Sequence, residues 1–207
     1  MVVPHSDSGD VGREAVLIPL RSLREGKARL DGVLDPDERN DLISEMARSV
    51  IIAAHDLDVL VVHDDPNVAP WATDLGAQTL RPDESGLNNA VTAGRDHLRK
   101  AGYERVIIAH GDLPHARDLR VMSTPHEITI APDRHGEGTN VLALPTALDF
   151  EFSYGPGSFE RHVQTSRSHG IEPHIVLDPG LAWDVDTPDD LDLSRRTINE
   201  DSREAKH

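Results

Sequence analysis

Apolar residues in this chain come in short blocks, separated by stretches in which they recur every three or four positions. The block Ala15-Val-Leu-Ile-Pro-Leu20 has strand length and no polar face, as a central strand covered on both sides would have. Asp35-Pro-Asp-Glu38 then supplies an N-cap, a proline at the first helical position and a capping-box glutamate. Behind it Leu42, Ile43, Met46, Ala47, Val50 and Ile51 fall on one face of a helix reaching to Ala54. Asp58-Val-Leu-Val-Val62 reads as a second strand. Val68, Trp71, Ala72 and Leu75 mark a short helix stopped by Gly76, and Ala77-Gln-Thr-Leu80 a third strand. From Gly86 the positions Leu87, Ala90, Val91, Gly94 and Leu98 mark a further helix, followed by the strand Arg105-Val-Ile-Ile-Ala109. This alternation predicts βαβ units: an α/β fold with a mainly parallel, Rossmann-like sheet flanked by helices.

After Asp112 the rhythm loosens. Glu127-Ile-Thr-Ile-Ala-Pro132 and Val141-Leu-Ala-Leu144 are expected strands, followed by a helix over 157–169 and a strand Pro173-His-Ile-Val-Leu177. Thr187-Pro-Asp-Asp190 opens a last helix with an N-cap and an acidic first turn. There is no internal repeat, and the expected organisation is one domain over 14–193. The polar, charged ends at 1–13 and 194–207 are expected to be disordered tails.

Composition narrows the function. The net charge is −16 with no basic run, which excludes the Lys/Arg stripe of a nucleic-acid groove. No stretch approaches the ~20 apolar residues of a membrane span, and the first ten residues lack the basic and apolar regions of a signal peptide. Cysteine is absent, so there is no disulfide framework and no thiolate metal site, which fits a cytoplasmic protein. A homodimer is compatible with this composition; nothing in the sequence fixes the oligomeric state.

The candidate chemistry lies at strand ends. Asp112, in His110-Gly-Asp-Leu-Pro114, follows an apolar strand at the place where open α/β sheets put their ligand crevice. Asp184 and Asp186 stand two apart in Asp184-Val-Asp-Thr-Pro188, so an extended backbone presents both carboxylates on one side. Carboxylate oxygens suit hard cations, and Mg²⁺ commonly bridges one or two of them to substrate phosphates. The twelve histidines are scattered without the i, i+4 spacing of a helical zinc site; His110 and His115 are read as supporting or surface residues. Asp189 and Asp190 are explained by the helix N-terminus they begin, and are left out of the metal set.

Two glycine-containing loops, Gly136-Glu-Gly-Thr-Asn140 and Tyr154-Gly-Pro-Gly-Ser158, let backbone approach an anion closely. The helix after the second could add its first N–H groups and the Ser158 hydroxyl. Either loop taken alone is also explained by a tight turn and a serine N-cap. Lys27 and Arg29 follow the first strand, where a nucleotide-binding α/β protein places its phosphate loop; a solvated loop is the other reading, and P-loop spacing is absent.

Taken in order, several short motifs form a set. They are Ile18-Pro-Leu-Arg-Ser-Leu23 with Lys27-Ala-Arg-Leu30, Gly86-Leu-Asn88, Gly111-Asp-Leu-Pro114 and Ala131-Pro-Asp133. Gly138-Thr-Asn140, Gly155-Pro-Gly-Ser-Phe159 and the segment from Asp184 to Leu191 complete it. The set resembles the CofC/FbiD guanylyltransferases of deazaflavin coenzyme F-420 biosynthesis, over about Val16 to Leu193. The resemblance implies a GT-A-like nucleotidyltransferase fold and transfer of GMP from GTP to phosphoenolpyruvate, or to 2-phospho-L-lactate as in methanogenic archaea. It implies Mg²⁺ on Asp112, Asp184 and Asp186, the acceptor acid at Thr139, Gly155 and Ser158, and the nucleotide near Lys27, Arg29 and Asn88. Phosphoenolpyruvate is preferred on the bacterial, Arg-rich composition. Asn89 and Glu137 depart from the family pattern, and a carboxylate at Glu137 would repel an anionic acceptor unless it turns outward or reaches a metal.

Two rivals remain. A molybdopterin-type or sugar-phosphate nucleotidyltransferase would keep the fold, but those carry a glycine-rich loop where this chain has Pro19-Leu-Arg-Ser-Leu23. A non-catalytic nucleotide-binding regulator is disfavoured by the presence of all three carboxylates and both anion loops.

Overall fold

In the computed structural model, which describes residues 12–23, 27, 30, 32–124 and 126–191, the first apolar block becomes β1 (Glu14–Pro19) at the middle of the sheet. β2 (Asp58–Val62) and β4 (Arg105–Ala109) flank it in parallel, so that Leu17 faces Leu60 on one side and Ile108 on the other. β3 (Gln78–Leu80) extends β2 in parallel, while β6 (Thr139–Pro145) runs antiparallel to β4. β5 (Thr129–Pro132) and the two-residue β7 (His174–Ile175) complete the order β3-β2-β1-β4-β6-β5-β7. Four of the six pairings are parallel, as expected of a sheet built from βαβ units.

Among the described residues the helices are α1 (Pro36–Ala53), α2 (Val68–Asp74), α3 (Leu87–Lys100), α4 (Ser158–Ser168) and α5 (Pro179–Ala182), and helix begins again over 188–191, after which the expected last helix lies outside them. Alternation along each strand sorts side chains to the two faces of the sheet. Val16, Ile18, Val59, Val61 and Ile107 pack on one face with Ile43, Ala47 and Val50 of α1. Leu17, Leu60, Val62, Val106 and Ile108 pack on the other with Val91 and Leu98 of α3 and Val163 of α4. At Gly94 of α3 an added Cβ would lie 2.3 Å from Leu17 Cδ1 and 2.9 Å from Val62 Cγ2, so a hydrogen there is what lets helix and sheet approach.

Asp35 caps α1 as anticipated, accepting from the amides of Asp37 and Glu38 while Glu38 reaches back to the Asp35 amide at 2.9 Å. Two expectations change. The strand expected over Pro173–Leu177 shrinks to β7, which pairs with Thr129 and Ile130 of β5 alone, and Leu177 is 81% exposed. The short helix α5 and a 3-10 turn at Leu119–Met122 were not anticipated, being too brief to show a periodicity. The expected C-terminal tail, and all of the N-terminal one except Gly12 and Arg13, lie outside the described residues. Among the described residues no helix is long and apolar enough to cross a membrane.

The topology positions the site. From β1 the chain proceeds outward through β2 and β3, then returns along α3 to place β4 on the other side of β1. The carboxyl ends of β1 and β4 therefore lie side by side where the winding direction reverses, and ligands of doubly wound folds bind at that point. Because β6 is antiparallel, its first residues come to the same end: Val141 faces Ala109, and the His110 amide donates to the Asn140 carbonyl at 3.0 Å.

Candidate active site

Lys27, from the loop after β1, and Asp112, from the loop after β4, meet over the paired strand ends. The Lys27 ammonium donates to Asp112 Oδ2 at 2.5 Å and to Asp186 Oδ1 at 2.6 Å. Lys27 does so from a left-handed backbone (φ 57°), an uncommon conformation for a residue with a Cβ. Burial works against its charge, but the Asp112 and Asp186 carboxylates outweigh burial and hold its pKa above the ordinary lysine value. For Asp112 burial again opposes ionisation, and Lys27, helped by His110, brings its pKa below the usual carboxylate range. The second oxygen, Asp112 Oδ1, is buried without a hydrogen-bond partner. Asp184 is shifted the other way: burial and the adjacent charges of Asp112 and Asp186 raise its pKa. A cleft of about 230 Å³, lined by Arg21, Ser22, Lys27, Leu87, His110 and Asp112 among others, opens beside the pair.

The Asp184–Asp186 segment is held from behind. Val185 is 1% exposed and packs with Leu30, Met46 and Leu191, which leaves the flanking aspartates to the opposite side. Asp190 is buried; its Oδ2 accepts from the amides of Asp186 (3.0 Å) and Thr187 (2.7 Å), and its Oδ1 pairs with the Arg134 guanidinium. Arg134 also donates to the Asp184 carbonyl and lies over the Trp183 ring, 4.5 Å from its centroid. The Val185 amide reaches the Asp112 carbonyl at 3.3 Å and ties the two carboxylate loops together.

Above β6, Asp133 organises the turn. Its Oδ1 accepts from the amides of His135 and Glu137, and its Oδ2 from that of Gly138 at 2.7 Å. A Cβ on Gly138 would sit 2.7 Å from Asp133 Oδ2, so this contact requires glycine. Glu137 is exposed, the outward placement that an anion site here demands. Thr139 and Ser158 are joined, the Thr139 amide donating to Ser158 Oγ at 3.0 Å, and His162 of α4 reaches Thr139 Oγ1 at 3.0 Å. Arg161 braces the second loop by donating to the carbonyls of Ser153, Gly155 and Pro156. The side-chain oxygen of Asn88, in the first turn of α3, accepts from the Tyr154 amide at 2.8 Å, so Asn88 anchors this loop. The anticipated role of the α4 N-terminus changes: the Ser158 and Phe159 amides are already bonded to the Gly155 and Glu137 carbonyls. Gly155 is exposed, while the Thr139 and Ser158 side chains lie buried beneath the loops.

With this geometry in place, comparison with known proteins is decisive. Residues 14–197 match the family model described as guanylyl transferase CofC like. The chain belongs to this family. A phosphoenolpyruvate guanylyltransferase of Sphaerobacter thermophilus is 37% identical over 185 residues, covering 85% of this chain and 89% of that protein. A 2-phospho-L-lactate guanylyltransferase of Methanocaldococcus jannaschii is 30% identical over 182 residues, covering 85% of this chain and 80% of that protein. Among solved structures, a putative nucleotide-diphospho-sugar transferase from Desulfovibrio desulfuricans G20 superposes with a TM-score of 0.73 at 16% identity, covering 90% of this chain and 87% of that one. That likeness shows the fold, and the family makes this chain a nucleotidyltransferase enzyme.

In this CofC-like chain the structure brings Lys27, Asp112 and Asp186 into direct contact, with Asp184 near enough to feel both carboxylates. Among the described residues no three carboxylates or imidazoles are gathered into one preformed ligand set. Two carboxylates that converge on one ammonium, with a buried and unpartnered oxygen at Asp112, nonetheless have the hard-donor chemistry that fits Mg²⁺. Arg29 lies outside the described residues. The sequence reading missed Arg134 and the full role of Asp190. The only trace was an aspartate four residues after Asp186, which a helix N-terminus explains equally well. It also missed His162, whose one signal is its place four residues after Ser158 on the same helix face.

Proposed function

We propose that this enzyme transfers GMP from GTP to phosphoenolpyruvate, giving enolpyruvyl-diphospho-guanosine and pyrophosphate for coenzyme F-420 biosynthesis in the cytoplasm. The observation that carries the reading is the meeting of Lys27, Asp112 and Asp186 beside the cleft at the β1/β4 switch, in a chain of this family. In the proposed reaction an oxygen of the acceptor phosphate attacks the α-phosphorus of GTP. A new P–O bond forms, the bond from the α-phosphorus to the bridging oxygen breaks, and pyrophosphate leaves with that electron pair. The acceptor phosphate is already ionised at neutral pH, so no general base is needed, in keeping with a site built from aspartates and hydroxyls.

The work left to the protein is to hold two anions in line and offset their repulsion. Asp112 and Asp186, with Asp184 beside them, would hold Mg²⁺, which when bound supplies positive charge to the reacting phosphates. Lys27 would meet the nucleotide phosphates, and leaving its two carboxylates for them would free those oxygens for the cation. Thr139, Ser158 and Gly155 would take the acceptor acid, with Asn88 holding their loop against α3. The runner-up acceptor, 2-phospho-L-lactate, is supported by the Methanocaldococcus relative.

The test is pyrophosphate release measured with GTP and Mg²⁺, with each acid in parallel and the product identified by mass. Turnover is expected with both substrates present and faster with phosphoenolpyruvate. Preference for 2-phospho-L-lactate would move the assignment to the runner-up, and GTP binding without pyrophosphate release would overturn both.

A further inference from the structure

Beneath the two glycine-containing loops, hydrogen-bond polarity can be worked out atom by atom. The backbone amide of Ser153 points at His162 Nε2, 3.1 Å away. An amide only donates, so Nε2 carries a lone pair and the proton of the neutral ring sits on Nδ1. Nδ1 lies 3.0 Å from Thr139 Oγ1, so the ring donates and the hydroxyl oxygen accepts. The hydroxyl proton of Thr139 is used in neither contact. Ser158 repeats the arrangement, because its oxygen accepts from the Thr139 amide. Tyr154 completes the cluster: its ring meets that of His162 edge-on at 4.8 Å, and its buried hydroxyl has no hydrogen-bond partner. His162 is fully buried, and burial pushes its pKa down to about 4, which keeps the ring neutral at working pH. A protonated ring would turn a second donor against the Ser153 amide.

We propose that His162 is a positioning residue whose Nδ1–H, given to Thr139 Oγ1, turns the Thr139 hydroxyl so that its own proton is left to donate toward an oxyanion of the acceptor acid. The proposal rests on the acceptor reading of Thr139 given above. In a chain of net charge −16, it explains how neutral groups would hold an anion: each hydroxyl oxygen accepts one hydrogen bond from the protein and keeps its own proton to give. The Arg161 guanidinium is occupied by loop carbonyls.

Two measurements on the full chain test this. Long-range ¹H–¹⁵N correlation on the wild-type protein reads the His162 tautomer independently of any activity; Nδ1–H is expected, and an Nε2–H ring overturns the proposal. Steady-state kinetics then compare His162→Gln, which keeps an acceptor near Ser153 but withdraws the donor to Thr139, with His162→Asn, which keeps that donor. His162→Gln is expected to raise the acceptor KM about 10-fold or more while the GTP KM stays within about twofold, and His162→Asn to restore most of the loss. In a Thr139→Val background, His162→Gln should add nothing further. An undiminished effect there, or equal losses in the Gln and Asn variants, would make His162 a packing residue only. Wild-type protein that turns over neither acid would count against the function and the acceptor role of Thr139 together. The tautomer decides the polarity in either case, including one in which a variant does not fold.

Discussion

At the residue scale the site works by opposing burial with charge. Asp112 stays ionised because Lys27 outweighs the burial that would protonate it, and its second oxygen is left unpartnered. Asp112→Ala is expected to lower pyrophosphate release about 10²–10⁴-fold, since an interaction with developing charge is lost. Assays at saturating Mg²⁺ would check this; near-normal turnover would remove Asp112 from the reaction. His162 supplies a second prediction. Its folded pKa of about 4 lies below the ordinary 6.5, so its contribution to stability is fully present above pH 6.5 and is lost as pH falls toward 4. A shift of this size corresponds to about 3 kcal/mol. Urea unfolding followed from pH 7 downward should show a shallower acid decline in His162→Gln than in wild type; equal slopes would contradict the buried neutral ring. Asp112 stood out in the sequence because it follows an apolar strand, and Asp184 and Asp186 by their i, i+2 spacing; in the fold the latter two follow α5, not the strand end expected of them. Lys27 as the carboxylates' common partner was not legible in the sequence, because 85 and 159 residues separate it from Asp112 and Asp186.

At the scale of elements, the Asp184–Asp186 loop is set in place by Asp190 and Arg134. Asp190→Ala removes the acceptor for the Asp186 and Thr187 amides and leaves Arg134 without its carboxylate. Breaking a buried pair from one side costs about 3–5 kcal/mol, and the loss should appear both as a lower urea midpoint and as reduced turnover. Asp190→Asn, which retains an acceptor oxygen, should recover part of the stability. An unchanged midpoint in the alanine variant would mean that the loop is held elsewhere. Strands β1, β2 and β4 and helices α1 and α3 were readable because their apolar period persists over several residues and, for α1, a capping box marks the start. β7, α5 and the 3-10 turn were not, since their lengths are set by neighbours: β7 ends where β5 no longer pairs.

For the molecule as a whole, a net charge of −16 means that GTP and the acceptor approach against a repulsive field. Raising ionic strength from about 0.01 to 0.15 M shortens the Debye length from roughly 30 to 8 Å. The apparent kcat/KM for GTP, measured at constant free Mg²⁺, is therefore expected to rise across that range. A steady fall would show that the local cations dominate encounter instead. Against that field the fold places two cations, Arg21 and Lys27, in the lining of the cleft.

The amino-acid order by itself determined the βαβ frame and the family, because periodicity, caps and motif order are local properties of a chain. Tertiary structure alone decided which groups meet. Winding outward from β1 and back to β4 sets Lys27 against Asp112, and an antiparallel β6 brings Thr139 to the same end. The packing of α4 turns His162 toward Thr139. Hydrogen-bond polarity and pKa depend on distance and burial, and those exist only once segments far apart in sequence are packed together.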